Sequence, residues 1–269
     1  MTAIGVFDSG LGGLTVAHAI REALPDEDLV YLGDTARVPY GTRSADTVIR
    51  YARACAQHLV KHRIKLLVVA CNTVSAVALE MLRDELDVPV LGVIEPGARA
   101  GAAASRKKRI GVLATQGTVN SRAYERALHA VDSRIEVFAL AAPLLVPLAE
   151  EGWLDGEVPR LVVERYLTPL TQKDIDALVL GCTHYPLLGG VIRAEAARLA
   201  GPELVVVDSA QATAHELAHL LETKGLREPR SGRGKLRLMV TDLPGRFAEV
   251  ASRFLQEELE GLDVEQVDL

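Results

Sequence analysis

Two eight-residue stretches decide the fold: Leu66-Leu67-Val68-Val69-Ala70-Cys71-Asn72-Thr73 and Ala177-Leu178-Val179-Leu180-Gly181-Cys182-Thr183-His184. Each is a continuous apolar run closed by a small residue, a cysteine and polar residues. Such runs are what strands of a parallel sheet need when helices cover both faces. A second echo lies upstream, where Ile4-Gly5-Val6-Phe7-Asp8-Ser9-Gly10 is matched by Ile110-Gly111-Val112-Leu113-Ala114-Thr115-Gln116-Gly117. The opening isoleucine stands 67 residues before the cysteine in the first case and 72 in the second. The architecture therefore reads as one unit used twice.

The same alternation runs through the rest of the chain. Strands are expected at Ile4–Phe7, Leu29–Leu32, Leu66–Ala70, Val90–Val93, Ile110–Leu113, Glu136–Ala139, Ala177–Leu180, Leu204–Val207 and Leu236–Val240. Helical periodicity lies between them at Leu14–Ala23, Ser44–His62, Ser75–Leu86, Ser121–Val131 and Thr213–Lys224. The expected fold is α/β, with two similar doubly wound parallel-sheet domains related by pseudo-twofold symmetry. Open α/β sheets bind ligands beyond the carboxyl ends of their strands. Two facing units would thus form a cleft with one thiol on each wall.

Composition narrows the function. The 269 residues carry 30 Lys+Arg against 36 Asp+Glu, a net charge of −6 that disfavours a nucleic-acid partner. The basic stretches Arg106–Arg109 and Arg227–Arg237 are short and read as solvated faces or loops. No apolar run reaches the roughly 18–20 residues that span a bilayer. The chain opens on a strand-like run with no signal-type segment, so a cytoplasmic location and no membrane partner are expected. Its three cysteines form no C-x-x-C pair, which argues against both a disulfide framework and a structural zinc site.

Cys71 and Cys182 each fall where helix-terminal N–H groups can meet a thiolate. Two thiols on opposite sides of one carbon, one removing a proton and the other returning one, would invert a stereocentre. Buried core packing is the common alternative fate of cysteine, and it suits Cys55 within a helical stretch. His184, two residues past Cys182, is placed to assist that thiol or to be an ordinary loop histidine. The other histidines, at 18, 58, 62, 129, 215 and 219, lie in helical stretches and take no role. Asp8-Ser9, Asp34-Thr35 and Thr115 to Thr118 gather polar groups at strand ends, which suits a free amino acid, although both aspartates also fit caps or turns. The loop Gly10-Leu11-Gly12-Gly13, with Asp34 further on, offers a dinucleotide reading. Thr15 stands where the third fingerprint glycine belongs, and Asp8 would crowd a pyrophosphate. A non-catalytic amino-acid-binding protein remains a further alternative.

The stretches Gly5–Val16, Gly33–Gly41, Ala70–Thr73 and Leu180–Leu188, with Val240-Thr241-Asp242, Phe247 and Arg253-Phe254-Leu255, resemble the glutamate racemases from about residue 4 to about residue 255. Aspartate and hydantoin racemases share the two-cysteine plan, and the Gly33–Gly41 motif favours glutamate. The resemblance implies a cofactor-independent enzyme that holds no metal and supplies D-glutamate for peptidoglycan. It implies that Cys71 acts on the D-enantiomer and Cys182 on the L-enantiomer, assisted by Asp8 and His184. Asp8, Ser9, Tyr40, Gly41, Asn72, Thr73, Thr115, Thr118, Thr183 and His184 match substrate-contacting positions. A family glutamate falls at Glu150 or Glu151, with spacing that leans to Glu150. Resemblance also implies a homodimer, and domains of residues 1–97 with 209–269 and of 98–208, the chain crossing near Pro96-Gly97 and Asp208-Ser209.

Overall fold

The computed structural model describes residues 2–227, 232–257 and 263–269; the central part of the basic stretch Arg227–Arg237 lies outside the described residues. The strands are β1 (Ala3–Asp8), β2 (Leu29–Gly33), β3 (Ile64–Val69), β4 (Val90–Gly92), β5 (Arg109–Ala114), β6 (Glu136–Ala141), β7 (Ala177–Gly181), β8 (Val205–Asp208), β9 (Leu236–Val240) and β10 (Val264–Gln266). They form two all-parallel sheets, ordered β10-β9-β2-β1-β3-β4 and β6-β5-β7-β8. With β1 matched to β5, the order β2-β1-β3-β4 repeats as β6-β5-β7-β8, which is the duplication seen in the sequence. The first sheet gains β9 and β10 from the end of the chain.

The helices are α1 (Leu14–Ala23), α2 (Ala45–Val60), α3 (Asn72–Val77), α4 (Leu79–Glu85), α5 (Ile94–Ala104), α6 (Gln116–Ser121), α7 (Ala123–Val131), α8 (Leu145–Glu150), α9 (Glu157–Thr171), α10 (Gly189–Ala200), α11 (Ser209–Thr223) and α12 (Pro244–Leu255). They cover both faces of each sheet, because successive strand residues point to opposite sides. On β1, Ile4 and Val6 join the core shared with α1, α11 and α12, whereas Ala3 and Phe7 join the one under α2 to α4. On β7, Ala177 and Val179 face α5 and α7, and Leu178 and Leu180 face α9 and α10. Each fully buried aliphatic side chain contributes about 1.5–3 kcal/mol. That is why no charge falls between Ala3 and Phe7 or within β7, the one carboxylate of β1 being its last residue, Asp8.

Several boundaries differ from the periodicity. The helix expected over Ser75–Leu86 starts earlier, at Asn72, and breaks at Ala78 (φ −119°, ψ −7°) into α3 and α4. Ser75 explains part of this, since its hydroxyl donates to Val69 O at 3.0 Å and accepts from Val93 N at 3.4 Å, tying α3 to the strand ends. The Ser121–Val131 helix divides at Arg122, which is left-handed (φ 57°). His62 lies in the turn past α2 rather than in the helix. Pro96 and Gly97 sit inside α5, and Asp208-Ser209 is the junction of β8 with α11. Cys55 is fully buried among Leu59, Leu67 and Val69. Among the described residues, no helix is long and apolar enough to cross a membrane.

Candidate active site

Strand register places the cysteines. Phe7 pairs with Val69, and Ala70 N donates to Phe7 O at 2.8 Å, so Cys71 emerges beside the end of β1. In the second sheet Ala114 pairs with Gly181, so Cys182 emerges beside Thr115. Both thiols line one cavity of about 280 Å³. Ser9, Tyr40, Gly41, Asn72, Thr73, Thr115, Glu150, Thr183 and His184 line it with them. Two expected site residues do not reach that surface. Asp8 is buried behind Ser9, its Oδ2 accepting from Gly10 N at 2.9 Å. Thr118 is buried behind Thr115, the N-cap of α6, whose hydroxyl accepts from Thr118 N at 3.3 Å. Asp34 is fully buried away from the cavity, where it accepts hydrogen bonds from Tyr40 and Thr241.

The two halves touch at this cavity through small and hydroxylic residues. Thr73 Oγ1 and Thr115 Oγ1 are 2.9 Å apart, and Thr15 Oγ1 lies 2.8 Å from Thr183 O. A Cβ at Gly12 would collide with Thr183 and His184, so the loop after β1 packs against them only because that position has no side chain. From the far side α12 closes on the same point. Phe254 stands edge-on to the His184 ring at 5.5 Å between centroids, and Arg253 donates to Glu150 O at 2.7 Å.

The thiols have different electrostatic surroundings. Cys71 is the N-cap residue of α3, with Sγ 3.4 Å from Ser9 Oγ. Burial, and then the Asp8 carboxylate, push its thiol up to about 12. Asp8 is itself raised by burial, with the charge on His184 opposing the rise. Cys182 is followed by a turn and a short 3-10 helix, Tyr185–Leu188. Its Sγ is 3.9 Å from His184 Nδ1, and His184 Nε2 is 3.0 Å from Glu150 Oε1. Burial alone would lower His184, but hydrogen bonds with Cys182 and Glu150 raise it to about 10. At neutral pH the site thus holds a neutral Cys71 thiol facing an imidazolium beside Cys182.

Of the two candidate glutamates, Glu150 lines the cavity. Sequence reasoning missed Thr42, Pro143, Val146 and Pro147, which line it as well. The i, i+4 spacing of Val146 and Glu150 on α8, with Leu145 and Ala149 buried on the other face, was the available signal. The described residues that line the cavity include no lysine, the side chain whose amine would form a Schiff base with a carbonyl cofactor. The described residues nearest to a metal set, His18, Glu22 and Glu257, share no member with the cavity.

A duplicated, two-sheet α/β protein with a thiol at each equivalent strand end and one small cavity lined by both defines a class of amino-acid racemases. The sequence profile of the Asp/Glu/hydantoin racemases matches residues 4–217, and the chain belongs to that family. It is 52% identical to the glutamate racemase of Geobacter metallireducens, over 99% of this chain and 97% of that one. The structure of a glutamate racemase isoform from Bacillus anthracis superposes with a TM-score of 0.94 at 41% identity, covering 100% of this chain and 98% of the other. A glutamate racemase from Francisella tularensis in complex with D-glutamate gives a TM-score of 0.89 at 36% identity, over 99% and 97%.

Proposed function

We propose that this racemase interconverts L- and D-glutamate by a two-base proton transfer between Cys71 and Cys182. The observation that carries this reading is a single small cavity lined by both thiols, each just past the end of an equivalent strand. The full-length likeness to glutamate racemases supports glutamate as the substrate.

Removing the α-proton is difficult because the neighbouring carboxylate repels the carbanion. Fixed donors in a confined site lower that barrier, each by about 10²–10³ in rate. Ser9, Asn72, Thr73 and Thr183 offer such donors, while Tyr40 and Gly41 close the cavity on the side of the first sheet. From L-glutamate, Cys182 as the thiolate takes the α-proton and Cys71 delivers its own to the opposite face; the D-enantiomer reverses the roles. His184 exchanges a proton with Cys182, Glu150 keeps His184 cationic, and Asp8 does the corresponding work beside Cys71. Thr115 and Thr118 brace the second wall. No metal and no pyridoxal-type cofactor is needed. We assign residues 1–97 with 209–269 to the Cys71 lobe and 98–208 to the Cys182 lobe. Resemblance further supports a cytoplasmic homodimer whose product enters peptidoglycan precursors.

The test is polarimetry or circular dichroism on pure L- and D-glutamate with a pyridoxal scavenger present. Loss of optical signal from either enantiomer is expected. In D2O the product should carry deuterium at Cα from the first turnover. Product that keeps its protium throughout overturns the two-base scheme.

A further inference from the structure

Tyr124 lies on α7, packed with β5 and β7 of the second sheet, and is only 2% exposed. Its hydroxyl nevertheless serves the other wall. It donates to Asn72 Oδ1 at 2.8 Å, and Asn72 is the residue next to Cys71. The ring reaches this point through a niche at the end of β7, where a Cβ on Gly181 would come within 2.8 Å of Tyr124 Cε2. Asn72 is itself 2% exposed and lines the cavity, and its Nδ2 has no hydrogen-bond partner among the described residues. Of the buried side-chain polar atoms in that condition, it alone belongs to a cavity-lining residue.

An amide presents one acceptor and two donors, and the two ends exchange on a half-turn. With Oδ1 taken by a phenol that has one hydrogen to give, the NH2 is the end left over. We infer that Tyr124 is a positioning residue: by donating to Asn72 Oδ1 across the lobe boundary, it holds the Asn72 NH2 toward the cavity as a donor for a substrate carboxylate. Without the phenol the amide is free to present its carbonyl, which repels a carboxylate. The bond also ties α7 to the start of α3, so the donor is in place only when the two walls are at their present spacing. This inference rests on the glutamate racemase reading and adds a residue that the cavity lining does not include.

The experiment is steady-state kinetics of Tyr124→Phe, which keeps the ring and removes the hydroxyl. KM for both enantiomers should rise roughly tenfold, the worth of one hydrogen bond to a charged group. The thermal midpoint should stay close to wild type. kcat/KM should fall by one common factor from either side, because enantiomers have equal free energy and the equilibrium constant is one. In an Asn72→Ala background, Tyr124→Phe should add no further loss. An unchanged KM in the single variant overturns the inference, as does an equal loss in both backgrounds, which marks a packing role. Should Tyr124→Phe fail to fold, the wild-type protein decides: the Asn72 side-chain NH2 resonances shift on adding glutamate, and their failure to shift overturns the inference. A wild-type protein that does not racemise glutamate overturns the functional reading instead, so the two failures are told apart.

Discussion

The two cysteine walls share a backbone plan and differ in almost everything that acts on the sulfur. Cys71 follows β3, caps a true helix, and has a hydroxyl and a buried carboxyl group for neighbours. Cys182 follows the equivalent β7 but leads into a turn, and its neighbour is an imidazole held by Glu150. Repetition of the unit supplies equivalent positions for two thiols. Differences inside the echoed stretches, Asp8-Ser9 against Ala114-Thr115 and Thr73 against His184, together with Glu150 from α8 outside them, supply the inequality. One wall therefore rests with its proton on sulfur, and the other keeps a cation at hand. A reaction that takes a proton on one side and gives one on the other needs that inequality in each turnover.

The sharpest way to break the comparison is to remove either sulfur. Cys71→Ala and Cys182→Ala should each lower racemisation by about 10³-fold or more, measured as optical change on pure enantiomers. Near-wild-type rates in either variant would reduce the site to one base. Next in size is His184→Asn, expected to cost about 10²-fold in kcat with the Cys71 wall untouched. That variant also carries a pH signature. The folded value of about 10 lies above the usual 6.5, so the stabilisation from His184 is complete below pH 6.5 and is lost as pH rises through 10. The gap in thermal midpoint between wild type and His184→Asn should therefore narrow over that interval. Glu150→Gln should have a smaller effect, roughly tenfold in rate, through weaker support of the imidazolium. Smallest is Tyr185→Phe, which removes a hydroxyl shared between Ala114 O at 3.1 Å and Ala142 O at 2.9 Å. It should cost about 1 kcal/mol, or about 2–4 °C in midpoint, and leave kcat alone.

What could be read in advance follows from range. Strands β3 and β7 and their trailing cysteines are local patterns, and so were plain in the sequence. The echo of Ile4–Gly10 in Ile110–Gly117 showed which strands correspond, but their order within each sheet depends on crossovers between distant segments and was not read from the sequence. Val146 and Pro147 escaped notice because an apolar residue facing a cavity has the same letter as one facing a core. Glu150 and Glu151 are adjacent and chemically identical, and only the turn of α8 selects between them. Tyr124 looked like any aromatic on an amphipathic helix; its target is 52 residues away in sequence. β10, three residues with no apolar run, owes its existence to the register it finds on β9.

The way the first sheet is completed has a consequence for synthesis on the ribosome. β5 to β8 come from one unbroken stretch, residues 109–208, and can assemble as soon as it emerges. β2 has to wait for its neighbour β9, at residues 236–240, and until then offers an open edge to any other nascent strand. The later-made sheet is thus the first that can be completed, and the sheet begun earliest is the one exposed longest to misassembly.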